Sequence, residues 1–273
     1  MGTSTEQVVA RLRAAGCVFA EDEAALLLSV PATADELEAL VARRVGGEPL
    51  EQVLGWAEFC GIRVLLDPHV FVPRRRTAFL VEQSAGLAAV QDHPVLVDLC
   101  CGSGAVGAAV ADLVPGVELY ASDLDPVAVA CARRNLEPRG GGVFVGDLFA
   151  ALPAAVRGRI DVLAVNAPYV PTDAIATMPP EARDHELPMA LDGGPDGLDV
   201  HRRVAAVAAE WLAPGGSLLI ETSTRQAPVA AGIFETSGME ARVQHSEVHD
   251  ATVVIGQTSE RPPRNLGAGG TDD

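Results

Sequence analysis

Apolar and polar residues change rhythm three times along this chain. Between residues 4 and 46 the apolar positions recur at helical spacing in three short pieces. Pro31 separates the second from the third, and Gly46-Gly47 closes the third. This predicts a small helical cap over residues 1–47. The segment VLGWAEFCGIRVLLDPHVFVP, residues 53–73, alternates around Gly61 and Asp67-Pro68, which predicts a β-hairpin; with a linker helix it accounts for 48–90. From residue 95 the rhythm becomes strand, helix, strand, over 95–99, 105–113, 117–122, 126–135, 142–146, 148–156, 160–165, 198–212, 216–221 and 226–236. Such alternation predicts an α/β domain, residues 91–257, with a parallel sheet and crossover helices. The last stretch, 239–257, has no room for a crossover helix and should add an antiparallel hairpin. From 258 onward the Gly-, Pro- and Asp-rich sequence predicts a disordered tail.

One interval breaks the pattern. Residues 167–197 follow the fourth strand, hold six prolines and show no periodicity. A connection that long in a compact domain is usually functional or disordered. Its place at the carboxyl end of a central strand favours a loop that covers a substrate.

Composition narrows the classes of protein. The 273 residues, 48 % of them apolar, are enough for a sizeable core. No apolar run reaches the ~18–20 residues of a membrane span. The start, MGTSTEQ, has neither the basic end nor the apolar stretch of a signal peptide, so the cytoplasm is the expected compartment. Five cysteines without paired metal spacing read as reduced thiols, and no metal site is expected. A formal charge of −17 argues against a protein that grips nucleic acid by its phosphates. All twenty basic residues are arginine, and the one dense basic run is Arg74-Arg75-Arg76.

Two short runs carry the candidate chemistry. VDLCCGSGA, 97–105, is a β-branched strand that delivers Asp98 into a glycine turn, with an Ala-rich helix starting at once. Unpaired N–H groups at such a helix start hold anionic groups, and Gly102 and Gly104 admit ligand atoms close to the main chain. Gly102, Gly104 and Gly107 also satisfy G-x-G-x-x-G, which leaves a dinucleotide-dependent oxidoreductase formally open. Asp98, Asp123 and Asp147, at the ends of consecutive strands, suit S-adenosylmethionine better. Asp98 would lie near its cationic amino acid end, Asp123 would accept from the ribose hydroxyls, and Asp147 would accept from the adenine amine. The second run, VLAVNAPYVP, 162–171, sets Asn166, Ala167, Pro168 and Tyr169 just past another buried strand.

The order DLCCGSGA, ASDLDPVAVACARRN, GDLF and NAPY, then HELPMALDGGPDGLD at 185–199, resembles the protein-glutamine methyltransferases that modify bacterial release factors. The likeness extends through EPLEQVLGWAEFCG (48–61) and FVPRRRT (71–77), and so over nearly all of 48–257. It implies a seven-stranded, Rossmann-like S-adenosylmethionine-dependent methyltransferase domain with a helical N-terminal domain. It also implies a glycine loop at Cys100, Cys101, Gly102, Ser103 and Gly104, a ribose acid at Asp123, and an adenine-side pair at Asp147 and Leu148. The substrate signature, with Asn166 shared by cofactor and acceptor, falls on Asn166 to Tyr169. The chain departs from the family at Cys100 for glycine, Leu148 for an aromatic, Ala167 for the first proline of Asn-Pro-Pro-Tyr, and Arg74-Arg75-Arg76 for an Arg-Pro-acid pattern.

The signature has a mechanical logic. A carboxamide nitrogen is a poor nucleophile because its lone pair is delocalised, so a site must orient it. Asn166 Oδ1 and the Ala167 carbonyl would each accept one amide hydrogen and aim the nitrogen at a sulfonium methyl. Pro168 keeps residue 167 extended, and Tyr169 walls the slot. The expected activity is N-methylation of a glutamine side chain in a protein, plausibly a release factor, with neither nucleic acid nor membrane as partner. Rival readings keep the slot for the amine of a small molecule or nucleobase, or make the chain a catalytically silent partner-binding relative. His185, beside Glu186 in the long loop, reads as a surface histidine.

Overall fold

The structure, a computed structural model, describes residues 4–30 and 33–259. The break expected at Pro31, and all but the first two residues of the expected tail, lie outside them. The N-terminal part is helical: α1 (Thr5–Ala14), α2 (Ala20–Ser29), α3 (Ala34–Val45) and a short α4 (Leu50–Leu54). Ser4 and Thr33 start α1 and α3 through capping boxes, in which the hydroxyl takes the N3 amide and the N3 side chain returns to the cap. The apolar faces of these helices meet in a cluster of their own around Leu12, Leu27 and Val41.

The hairpin follows as β1 (Trp56–Phe59) and β2 (Ile62–Leu65), paired antiparallel, and then α5 (Ala78–Ala88). The remaining elements are β3 (Val95–Leu99), α6 (Ala105–Leu113), β4 (Glu118–Asp123), α7 (Pro126–Leu136), β5 (Gly142–Val145) and β6 (Ile160–Val165), then α8 (Pro180–His185), α9 (Asp199–Trp211), β7 (Leu212–Thr222), α10 (Ala227–Thr236), β8 (Glu240–Ser246) and β9 (Ala251–Gln257). Seven strands form one sheet in the order β5-β4-β3-β6-β7-β9-β8. The first five are parallel, and β8 and β9 close the sheet as the expected antiparallel hairpin, with β9 against β7.

β3 and β6 read as continuous apolar runs because the sheet is covered on both faces. Leu96, Val162 and Leu219 join the core under α5, α6 and α7; Val97, Leu163 and Leu218 join the core under α9 and α10. The helix expected over 148–156 is instead two 3-10 turns, Leu148–Ala151 and Ala154–Val156. Pro153 separates them and lacks the N–H that a continuous helix would need.

Asn135, near the end of α7, fixes the hairpin to this scaffold. Its Oδ1 accepts from the Leu65 N–H at 2.9 Å, and its Nδ2 donates to the Leu65 carbonyl at 2.9 Å and the Ser103 carbonyl at 2.8 Å. One buried carboxamide thus ties β2, α7 and the turn after β3. Asn135→Ala should lower stability by about 2–3 kcal/mol, because it leaves buried backbone groups unpaired. Urea unfolding checks this, as a lower midpoint at an unchanged slope.

Candidate active site

The sheet order parts beside β3: β4 and β5 lie on one side, β6 and β7 on the other. The connections leaving β3 and β6 therefore diverge, and a crevice opens at the carboxyl ends of these strands. A cleft of about 1120 Å³, counting its open mouth, lies there. Its walls come from the linker after the hairpin, the turn after β3, the end of β4, and the segment after β6.

The turn after β3 is left-handed at three of five positions, Cys100 (φ 56°), Gly102 (φ 54°) and Gly104 (φ 77°). At Gly104 a Cβ would stand 2.9 Å from Leu136 Cγ, so that glycine lets α6 close on α7; it is not part of the cleft wall. Cys100, Cys101, Gly102 and Ser103 do line the cleft. Asp98 lines it from beneath, with its carboxylate accepting from the Gly107 N–H at 2.9 Å. Gly107 is needed for this contact, since a Cβ there would come within 3.2 Å of Asp98 Oδ2. Burial pushes the Asp98 carboxyl up to about 8; the Gly107 N–H opposes the shift and the nearby Asp123 charge adds to it.

Asp123, at the end of β4, accepts from the Gly102 N–H at 2.8 Å and the Asp125 N–H at 2.9 Å. Burial raises its carboxyl, and these two bonds work against the rise. The expected adenine-side pair lies beyond β5. Asp147 stands half exposed and pairs with Arg203 of α9 at 2.6 Å, and neither it nor Leu148 is in the cleft wall. The chain turns at Gly146 (φ 152°) and Leu148 (φ 49°), and the Arg203 guanidinium holds the acid toward α9.

All four signature residues after β6 line the cleft. Among the described residues the Asn166 side chain and the Ala167 carbonyl have no hydrogen-bond partner. Their neighbours are pinned. The Tyr169 carbonyl accepts from Gln226 Nε2 at 2.9 Å, and Gln226 also holds the Asp196 carbonyl at 2.9 Å. The Tyr169 hydroxyl donates to Glu221 at 3.0 Å and accepts from Arg76 Nε at 2.9 Å. Its burial, with the Glu221 charge beside it, raises the phenol far above its ordinary range.

The segment 167–197 is built rather than loose, with 3-10 turns at Thr172–Thr177 and Pro188–Ala190 on either side of α8. Val170 pairs with Asp192 as a parallel bridge. Gly193 and Gly197 lie against the slot, where a Cβ would come 2.7 Å from the Pro168 carbonyl oxygen and 2.3 Å from the Tyr169 carbonyl oxygen. Glu186, with its side chain wholly buried, accepts from the Val72 N–H at 3.2 Å and from Arg74 at 2.6 Å and 2.7 Å. Arg44 of α3 binds both Glu23 of α2 and Glu181 of α8, at 2.6 Å and 2.7 Å.

Sequence reasoning missed Glu221, Gln226 and Thr77. Among the described residues the Thr77 hydroxyl, buried in the cleft wall, has no partner. Arg74 and Arg76 line the cleft, whereas Arg75 does not. His201 is buried under β7, and burial lowers its imidazole to about 4 against an opposing contact with the Glu221 backbone.

A Rossmann-like sheet whose strand ends carry a glycine turn, a buried acid and the run Asn-Ala-Pro-Tyr has the architecture of a methyltransferase. The family model described as "Methyltransferase small domain" matches residues 75–179. The fold resembles a methyltransferase from Pyrococcus furiosus with a TM-score of 0.55 at 16 % identity, over 80 % of this chain and 97 % of that one. A release factor glutamine methyltransferase of Geobacter sulfurreducens is 38 % identical over 76 % of this chain and 73 % of its own length. A 4-amino-L-phenylalanine/4-methylamino-L-phenylalanine methyltransferase of Streptomyces pristinaespiralis is 36 % identical over 72 % of this chain and 69 % of its own. The chain belongs to the release factor glutamine methyltransferase family.

The Asp98 carboxyl yields a pH prediction. The folded chain holds this proton up to about 8, whereas the unfolded carboxyl releases it near the ordinary value of about 4. Its contribution to stability is therefore complete below about 4 and is lost as the pH rises through about 8. In Asp98→Asn, which keeps an acceptor for Gly107, this loss should vanish. Thermal unfolding of both proteins across that window checks it: the midpoint difference in favour of the variant should grow with pH.

Proposed function

We propose that this chain methylates the side-chain amide nitrogen of a glutamine in a protein, with a peptide chain release factor as acceptor and S-adenosylmethionine as methyl donor. The observation that carries the reading is the pair of unpartnered acceptors, Asn166 Oδ1 and the Ala167 carbonyl, in the cleft wall. An amide nitrogen offers two hydrogens in one plane, and two fixed acceptors hold it with its face toward the donor. Pro168 and the bonds on Tyr169 keep that pair in place.

The residues present fit the cofactor. Asp123 keeps lone pairs for two ribose hydroxyls after taking its two backbone N–H bonds, and Thr77 offers a buried hydroxyl with no partner of its own. At Gly102 a Cβ would meet nothing closer than Phe71 Cβ at 4.0 Å, so the glycine serves the left-handed turn and leaves the main chain open to a ligand. Asp98, Cys100, Cys101 and Ser103 complete this side of the cleft. When bound, S-adenosylmethionine supplies an electrophilic methyl on a sulfonium.

The net charge of −17 supports a protein rather than a nucleic acid as acceptor. Five free thiols accord with a reaction in the cytoplasm. No helix of the described residues is long and apolar enough to cross a membrane. A second reading, an amine on a small molecule, is favoured by Ala167: it keeps the carbonyl but gives up the rigidity of the family's first proline.

Two substitutions separate binding from chemistry. Asp123→Ala should weaken S-adenosylhomocysteine binding at least about tenfold, as expected for charged hydrogen bonds, and calorimetry reads it. Asn166→Ala should leave that affinity within a few-fold and lower turnover by about a hundredfold or more. The assay is transfer of labelled methyl to a release factor bearing a Gly-Gly-Gln loop. Full turnover in Asn166→Ala would mean that the acceptor binds elsewhere.

A further inference from the structure

Arg76 is placed in the cleft with only its Nε–H bonded. It stands where the family pattern carries an acid, so the charge at this point of the wall is reversed. Its Nε donates to the Tyr169 hydroxyl at 2.9 Å and to Glu221 Oε1 at 3.2 Å. Among the described residues its two Nη groups donate to nothing, and the side chain is 46 % exposed. Arg74, the other cleft arginine, differs: its Nη2 is closed by both oxygens of Glu186.

The backing is rigid. Glu221 is 2 % exposed and its Oε1 is shared by Tyr169 and Arg76, which holds the guanidinium beside the slot. A guanidinium fixed through Nε presents its outer N–H groups as a fork, and a carboxylate is the group whose two oxygens match that fork. Val170, Met178, Leu187, Met189 and Leu191 add apolar surface to the same cleft. Tyr169 belongs to the slot proposed to receive the acceptor nitrogen, and its hydroxyl is bonded to Arg76 Nε, so the free Nη groups lie beside that slot.

We infer that Arg76 is a specificity-determining residue that binds a carboxylate on the methyl acceptor. The inference rests on the reading of Asn166 to Tyr169 as the acceptor slot and adds the second group that the acceptor must carry. On a protein it is an acidic side chain beside the modified residue; on a small acceptor it is the acceptor's own carboxylate.

Calorimetry on protein saturated with S-adenosylhomocysteine tests it with two pairs of probes. The peptide Gly-Gly-Gln-Asp-Gly is compared with Gly-Gly-Gln-Asn-Gly, both blocked at their ends, and 4-amino-L-phenylalanine with 4-(2-aminoethyl)aniline. At least one carboxylate probe should bind about tenfold or more tightly than its neutral mate, and Arg76→Gln should erase that preference. The pair that shows it identifies the source of the carboxylate. Should the Gln variant fail to fold, Arg76→Lys, which keeps the charge and loses the fork, should show the preference reduced. No preference in either pair, or one that survives in Arg76→Gln, overturns the inference. A comparable loss of S-adenosylhomocysteine affinity in Arg76→Gln also overturns it, since the fork would then serve the cofactor. Methyl transfer to the release factor is scored separately on the wild type. A protein inert toward that acceptor but selective for carboxylate removes the proposed acceptor and leaves the role of Arg76 standing.

Discussion

Everything at this site depends on where the parallel sheet changes direction. β3 passes its chain toward β4 and β6 passes its chain toward β7, so the two connections leave a gap that no backbone fills. Into that gap project the ends of four neighbouring strands, carrying Asp98, Asp123, Asn166 and Glu221. Asp123 is the last residue of β4 and Asn166 the first beyond β6, whereas Asp98 and Glu221 each stand one residue before the end of their strand. The glycine turn is a consequence of the same geometry. A chain leaving β3 must reverse within a few residues to let α6 lie back on the sheet, and left-handed positions at 100, 102 and 104 are how it does so.

The cleft is held by charge in a setting where charge is expensive. Glu186 and Glu221 are almost wholly removed from water, and each is bound by an arginine of the linker that follows the hairpin. Such pairs are weak evidence for stability, because desolvation of both partners offsets much of their attraction. They do fix relative position. Arg74 joins the linker to the segment after β6, and Arg76 joins it to β7 and to Tyr169. The linker, the signature and the covering segment are therefore fastened at points where a slip of one residue would strand a buried carboxylate.

What could be read from the sequence and what could not differ in range. The glycine turn, the strand-end acids and Asn166 to Tyr169 announce themselves locally, because each needs special residues within a few positions of one another. The partners of Tyr169 did not: Glu221 lies 52 positions away, and Arg76 lies 145 positions from Glu221. A glutamate in LLIET looks like any polar residue ending a strand. Asp147 is similar: its local sequence, VFVGDLF, reads as a strand-end acid, while its partner Arg203 lies 56 positions on. The segment 167–197 had no legible periodicity because its order comes from Gly193 and Gly197 packing on the slot and from Gln226, not from a repeating face.

Arg44 adds a mechanical property to this arrangement. It is buried, and it is bonded at once to α2, to the Glu48 carbonyl and to α8 of the covering segment. Moving α8 aside to admit a bulky acceptor would break its bond to Glu181 and leave the guanidinium to Glu23 and the backbone. A displacement of α8 is thereby felt by α2 and α3, some 140 residues away in sequence.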